Sequence, residues 1–219
     1  MHFTYLFPSK NTPAILRPLA ARSSAQSLDS DVKILPFNRR DLLWITLVVA
    51  VACWTFFQSY QKWLHPIIDV GRDLYIPVEL LNGKKLYRDI LYIYPPLTPY
   101  LLSALIWMFG GGLAVYMVLG VVVSAIVVSA LYFAARTLID QTAAGIVALL
   151  FVTLNFTGTS GWGSNFIFPF AHAATFGTAF FLLYLEFIIV YLFVKRRPGY
   201  YFCAFTFGLL AAWTKVELK

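Results

Sequence analysis

Residues 112–135 read GLAVYMVLGVVVSAIVVSALYFAA, a run of 24 residues without a charged side chain. At 1.5 Å per residue a helix of this length extends for ~36 Å, which is enough to cross the ~30 Å hydrocarbon layer of a bilayer. Further apolar runs precede and follow it, so we predict an all-α, polytopic bundle of about five transmembrane helices. The predicted spans are 42–59, 112–135, 142–157, 173–194 and 200–217.

The composition also indicates a membrane protein. Hydrophobic residues make up 60% of the chain and charged residues 12%, whereas a soluble domain carries about 25% charged residues. Too little polar surface remains to cover a soluble globule, which excludes a soluble enzyme, a disordered chain and a collagen-like fibre. Cys53 and Cys203 both lie in apolar runs, and we interpret them as small hydrophobic side chains rather than a disulfide or metal site.

Basic residues flank the apolar runs instead of forming a stripe that binds nucleic acid. The net charge is +7, six basic residues precede the first run, and the Lys195–Arg197 cluster follows the 173–194 span. Cytoplasmic segments carry an excess of Lys and Arg. We therefore predict that residues 1–40 form a disordered cytoplasmic tail, that 41–219 form the membrane domain, and that no nucleic acid is a partner.

Residues 60–111 form one large predicted outer loop. Five basic and four acidic residues lie within 60–96, so its charge is nearly balanced. The apolar run 97–109 has only 13 residues and is followed by three glycines, which favours an interfacial or re-entrant helix over a span. Counting it as a span would place the Lys195–Arg197 cluster outside, against the charge rule.

A short amphipathic helix is predicted within this loop. Leu74, Val78 and Leu81 have helical spacing, and Gly83 is a suitable helix end, which predicts a helix over about 71–82. Arg72 and Tyr75 would then share one face as positions i and i+3.

The loop contains the groups that transfer chemistry needs. Asp69 follows the first span by about ten residues, and a carboxylate beside a membrane can take a proton from an acceptor hydroxyl or amine. Arginine binds phosphate groups bidentately, and Tyr92 and Tyr94 beside Pro95 form an aromatic edge in the same loop. The alternative is that the acidic and basic residues of 60–96 only pair with one another on a solvated loop.

Several motifs occur in a fixed order along the chain. They are Asp-x-Gly-Arg-Asp-Leu-Tyr-x-Pro at 69–77, Leu-Tyr-Arg-Asp at 86–89, Tyr-x-Tyr-Pro-Pro-Leu at 92–97, Asn-Phe-Ile-Phe-Pro-Phe-Ala-His at 165–172 and Leu-Leu-Ala-Ala-Trp-Thr-Lys at 209–215. Together they resemble the N-terminal half of the bacterial GT-C glycosyltransferases, a superfamily that includes protein mannosyltransferases and lipid A aminoarabinose transferases. The resemblance extends from about residue 42 to the C-terminus.

This resemblance implies an enzyme that moves a sugar from a polyprenyl-phosphate donor to a glycan, lipid or protein acceptor on the extracytoplasmic face. It implies a bacterial inner membrane, Asp69 as the catalytic base, and Lys215 as a cation for the lipid phosphate. The remaining candidate substrate-binding residues are Arg72, Tyr75, Arg88 and His172. Val70 stands where many relatives carry a second acid, so we expect neither a metal ion nor another cofactor.

Other interpretations remain open. His172 can be a hydrogen-bonded structural residue, Lys215 can extend to the interface from a helix end, and Glu186 is an ionisable group within a predicted span. The chain ends soon after an apolar run, which suggests a truncated reading frame. The alternatives to a transferase are a non-catalytic multipass protein, such as a transporter or scaffold subunit, and an inactive fragment of the enzyme.

Overall fold

The computed structural model describes residues 37–60, 69–156, 165–169 and 171–214, and these residues form helices without a strand. The predicted all-α class is therefore confirmed for this part of the chain. The helices are α1 (Arg39–Ser59), α2 (Asp69–Leu81), α3 (Leu97–Phe109), α4 (Leu113–Leu138), α5 (Gln141–Phe156), α6 (His172–Ile189, continued by the π-helical turn Val190–Val194) and α7 (Pro198–Thr214).

Three of these helices are long and apolar enough to cross a membrane. They are α1, α4 and α6 with its π-helical continuation, and their mean hydropathies are 1.8, 2.5 and 2.1. Two shorter apolar helices, α3 and α5, accompany them. These features indicate a membrane protein, while the count of about five spans stays a prediction.

Helices α1, α4, α5 and α6 alternate in direction between two ends of a bundle. Asp41 at the start of α1 bonds to Arg136 near the end of α4, so these two termini lie together. The ring of His172 at the start of α6 contacts the ring of Tyr116 at the start of α4, so those termini form the opposite end. We call them the Asp41 end and the Asp73 end, after the buried carboxylate at each.

Small residues allow close packing within the bundle. A methyl group on Gly145 of α5 would overlap the indole ring of Trp44 in α1, and one on Gly120 of α4 would overlap the backbone of Ile167. Small residues at such points let helices approach closely within a membrane. The core there includes Val127, Ala144, Ala148 and Ile167, all of which have no exposed surface.

A buried ion pair joins α1 and α4 at the Asp41 end. Asp41 has no exposed surface, and its two carboxylate oxygens accept bonds from Nε of Arg136 at 2.8 Å and from a terminal nitrogen of that guanidinium at 3.0 Å. The hydroxyl of Tyr132 donates a further bond at 2.8 Å. Asn38 and Asp41 also form a reciprocal capping box at the start of α1.

Helices α2 and α3 both belong to the Asp73 end. The short helix predicted over about 71–82 is confirmed as α2, and Gly83 follows it with φ +88°. The hydroxyl of Ser103 in α3 donates to the Pro77 carbonyl of α2 at 3.1 Å. Helix α3 starts beside Asp73, and three glycines join its end to α4, whose start lies at the same end of the bundle. Both ends of α3 therefore lie near the Asp73 end.

Two predicted features fall on residues outside the described ranges. Most of the proposed 1–40 tail precedes residue 37, and Lys215 follows residue 214.

Helix α1 begins at Arg39, three residues before the predicted span, because Asn38 caps it there.

Candidate functional site

Asp73 and His172, which are 99 residues apart in sequence, meet at the Asp73 end. One carboxylate oxygen of Asp73 accepts the backbone N–H of His172 at 2.7 Å and lies 3.2 Å from Nδ1 of its imidazole. The side chains are 3% and 1% exposed, respectively. This contact fixes α2 against the start of α6 and forms the centre of the candidate site.

The local sequence explains why Asp73 lies there. The residue preceding α6 is Ala171, whose methyl side chain cannot cap the helix. The first N–H groups of a helix have no partner within it, and its positive dipole end favours a negative charge. Asp73 supplies both the acceptor and the charge from another helix.

Arg72 completes a row of three polar side chains. Its Nε donates to the other carboxylate oxygen of Asp73 at 3.3 Å. Its guanidinium carbon lies 5.1 Å from the ring centre of Tyr94 and 6.0 Å from that of Tyr92, which are cation–π distances. Burial raises the pKa of Tyr92, so its phenol stays neutral beside these charges.

The loop after α2 holds the two tyrosines in place. The Tyr87 hydroxyl donates to the Tyr94 carbonyl at 2.6 Å, and Tyr87 itself has a positive φ of 66°. The rings of Tyr92 and Tyr94 meet edge to face at 5.7 Å. Ile76, Leu86 and Ile90 form a small apolar cluster with Tyr92, so the loop has its own core.

Aromatic rings surround the His172 imidazole. The centres of Tyr116, Phe176 and Phe168 lie 5.5, 6.1 and 6.5 Å from it. The far ring nitrogen, Nε2, is buried and has no hydrogen-bond partner among the described residues. The Tyr116 hydroxyl is in the same situation within this part of the chain.

A narrow crevice runs beside Asp73. Its lining residues are Asp73, Ile76, Pro77, Tyr92, Thr98, Pro99 and Leu102, and it is too narrow for a water molecule. The Thr98 hydroxyl is buried there without a partner in the described ranges. Pro77 has no N–H and cannot donate the helical bond to the Asp73 carbonyl. In this conformation the site is closed.

The structure brings together two of the six residues proposed from sequence. Arg72 and His172 both contact Asp73. Tyr75 is 56% exposed and lies beside Lys84 instead of facing the cluster. Arg88 is exposed and pairs with Asp89.

The side chains of the other two candidates, Asp69 and Lys215, are not among those that the structure describes. Asp69 is the first residue of α2, where the backbone alone is described, and Lys215 lies outside the described residues. Within those residues no three His, Cys, Asp or Glu side chains are grouped as a metal site.

Sequence reasoning missed Asp73 as a central residue. It lies within the 69–77 motif, but nothing local distinguishes it from the other acids of the loop. One usable signal was Ala171, since an apolar helix that starts without a capping side chain needs an acceptor from elsewhere. Tyr116 lies within an apolar run and gave no signal.

Over the residues that the structure describes, the fold and this cluster define a helical membrane protein with a largely buried guanidinium–carboxylate–imidazole row at one end of its bundle. No family model, no curated protein and no solved structure matches the chain.

Asp73 and Asp89 provide a matched pair for testing the cluster, because each bonds to the arginine that precedes it. Asp73→Ala is expected to destabilise the fold by about 2–3 kcal/mol, since buried donors of Arg72 and His172 lose their acceptor. Asp89→Ala should cost less, because both its ion pair and the bond it accepts from the Lys85 N–H at 2.8 Å are exposed. Thermal unfolding of both variants in detergent measures the difference, and equal unfolding temperatures would contradict the assignment of Asp73 as a structural centre.

Proposed function

We propose that this chain is a membrane glycosyltransferase of the GT-C type. It transfers a sugar from a polyprenyl-phosphate donor to a glycan, lipid or protein acceptor on the extracytoplasmic face, and Asp69 is its general base. One observation carries the proposal: Arg72 and His172, both chosen from sequence motifs, converge on Asp73, four residues after Asp69. A partly exposed cation beside a buried acid and a buried imidazole is suited to binding a phosphate and hydroxyl groups.

The charge distribution supports the orientation in the membrane that this proposal requires. The Asp41 end carries Arg39, Arg40 and Arg136, and the exposed Lys195–Arg197 cluster follows α6 at the same end. A basic end of this kind belongs in the cytoplasm. The Asp73 end would then face the extracytoplasmic side of a bacterial inner membrane, with α5 and α7 as additional spans to give about five.

Each cation has a proposed role in holding the donor phosphate. Arg72 is oriented by Asp73 and by two tyrosine rings, so its guanidinium loses little freedom on binding. Arg88 and Lys215 are proposed as further phosphate ligands, and Tyr75 as a contact to the sugar. No metal ion or other cofactor takes part in this proposal.

A second candidate function is a non-catalytic subunit of a membrane assembly. The closed crevice favours it, because a space too narrow for water does not hold a sugar without rearrangement. The two functions differ in one measurable respect, since only the transferase needs the carboxylate of Asp69.

Asp69→Asn is expected to reduce transfer by roughly 10²–10⁴-fold, the range for loss of a general base. The protein is reconstituted with polyprenyl-phosphate mannose or polyprenyl-phosphate aminoarabinose, and sugar release from each donor is measured with and without membrane extract as the acceptor source. Asp140→Asn, which changes an exposed carboxylate at the Asp41 end of the bundle, is the control and should retain activity. Equal turnover by wild type and Asp69→Asn would exclude Asp69 as the base, and no turnover by wild type with either donor would favour the non-catalytic subunit.

A further inference from the structure

The imidazole of His172 is satisfied on one side only. Nδ1 faces Asp73 at 3.2 Å, while Nε2 is buried without a partner among the described residues. We propose that Asp73 holds His172 as a hydrogen-bond acceptor, with Nε2 presented to a hydroxyl group of the bound sugar or acceptor. This inference rests on the proposed transferase for its ligand, but the state of the ring can be tested without it.

The contacts of Asp73 determine which nitrogen carries the proton. An ionised carboxylate only accepts hydrogen bonds. Asp73 is surrounded by three donor positions: Nε of Arg72, the backbone N–H of His172 and Nδ1 of its ring. Nδ1 must therefore carry a hydrogen to make a favourable contact. In the neutral imidazole this leaves Nε2 with a lone pair.

An unpartnered acceptor of this kind is costly in a buried site. Leaving a buried polar atom unsatisfied costs about as much as losing a hydrogen bond. The neighbouring rings of Tyr116, Phe168 and Phe176 offer apolar surface to the imidazole. A hydroxyl donor, such as those of a sugar, would satisfy Nε2 once these rings shift to admit it.

A purely structural role for His172 makes a different prediction. Its backbone N–H already bonds to Asp73, and that bond does not depend on the side chain. If the ring only reinforces this contact, Nδ1 is the important atom and Nε2 is irrelevant. The two roles can be separated by replacing each nitrogen individually.

The tautomer is measured first, in the 219-residue chain. The chain has three histidines, so His2→Gln and His65→Gln leave His172 as the single imidazole. Nitrogen NMR of the ¹⁵N-histidine-labelled protein in lipid nanodiscs at neutral pH distinguishes protonated from unprotonated ring nitrogens. We expect a proton on Nδ1 and none on Nε2. A proton on Nε2, or on both nitrogens, would overturn the inference.

Two substitutions then test the two nitrogens. Asn places an amide nitrogen near the position of Nδ1 and has no atom at Nε2, whereas Gln reaches the Nε2 position with an acceptor oxygen and loses the contact to Asp73. We expect His172→Asn to remain folded through its contact to Asp73, with a somewhat lower unfolding temperature because part of the buried ring is lost, and to lower kcat/KM by about tenfold to a hundredfold. We expect His172→Gln to retain most of kcat/KM.

The reverse pattern, an active His172→Asn and an inactive His172→Gln, would show that only the contact to Asp73 matters. If wild type transfers no sugar at all, the proposed function fails, and the ring nitrogens still decide whether Asp73 holds an acceptor. Polyprenyl-phosphate mannose added without acceptor distinguishes the source of the hydroxyl. A shift of the Nε2 signal assigns it to the donor sugar, and an unchanged signal in an active enzyme assigns it to the acceptor.

Discussion

Replacing Asp41 by alanine is expected to lower the free energy of unfolding by about 3–5 kcal/mol, the usual cost of breaking a buried ion pair. The Asp41 carboxylate has no exposed surface, and Arg136 contacts both of its oxygens. Without Asp41 the guanidinium stays largely buried and loses its counter-charge, and Tyr132 loses its acceptor. We therefore expect a large fall in thermal stability in detergent, which is measured as the fraction of protein that remains folded after heating.

A double-mutant cycle separates this pair from a general effect of mutation. Arg136→Met combined with Asp41→Ala removes both charges, so the double variant should be more stable than the sum of the two single losses predicts. Asp140→Ala is the control. Asp140 is exposed and only caps α5 by accepting the Ala143 N–H at 2.7 Å, so its loss should cost about 1 kcal/mol. Strict additivity of the two single losses would show that Asp41 and Arg136 do not stabilise each other.

The sequence predicted the helices well because apolar runs have visible ends. The run 112–135 became α4, and the run 142–157 became α5 within one residue at each end. The observed helix ends differ from the predicted ones where a side chain on another helix contributes a contact. Helix α4 continues to Leu138 and includes Arg136, because this charged residue is neutralised by Asp41 on another helix.

The candidate site was less predictable, for a physical reason. Motifs selected Arg72 and His172, but no periodicity relates Asp73 to His172, which is 99 positions away. The identity of Asp73 as the residue that joins them depends on how α2 packs against the start of α6. Helical spacing relates Tyr75 to Arg72 on α2, but it does not show which of them packs against the loop: Arg72 is mostly covered, whereas Tyr75 is exposed.

The second large effect is expected at Gly120, where α4 packs directly on the segment that leads to His172. A Cβ at this position would lie 2.8 Å from the Cα of Ile167 and closer still to its carbonyl oxygen. The backbone there cannot shift easily, because the side chain of Asn165 accepts the N–H groups of Ile167 at 2.7 Å and Phe168 at 3.1 Å. Gly120→Ala should therefore cost about 3 kcal/mol or more, at the upper end for overpacked cores.

Two other glycines make this prediction specific. A Cβ at Gly145 would meet the side chain of Trp44, which is only partly buried and can rotate, so Gly145→Ala should cost less than Gly120→Ala. A Cβ at Gly199 has open space, and alanine there should be neutral or slightly stabilising because it favours the helix. We expect Gly199→Ala to have the highest unfolding temperature of the three variants, Gly145→Ala an intermediate one and Gly120→Ala the lowest. A Gly120→Ala protein as stable as Gly199→Ala would show that Ile167 does not pack on α4, and the position of His172 beside Asp73 would then lose its support.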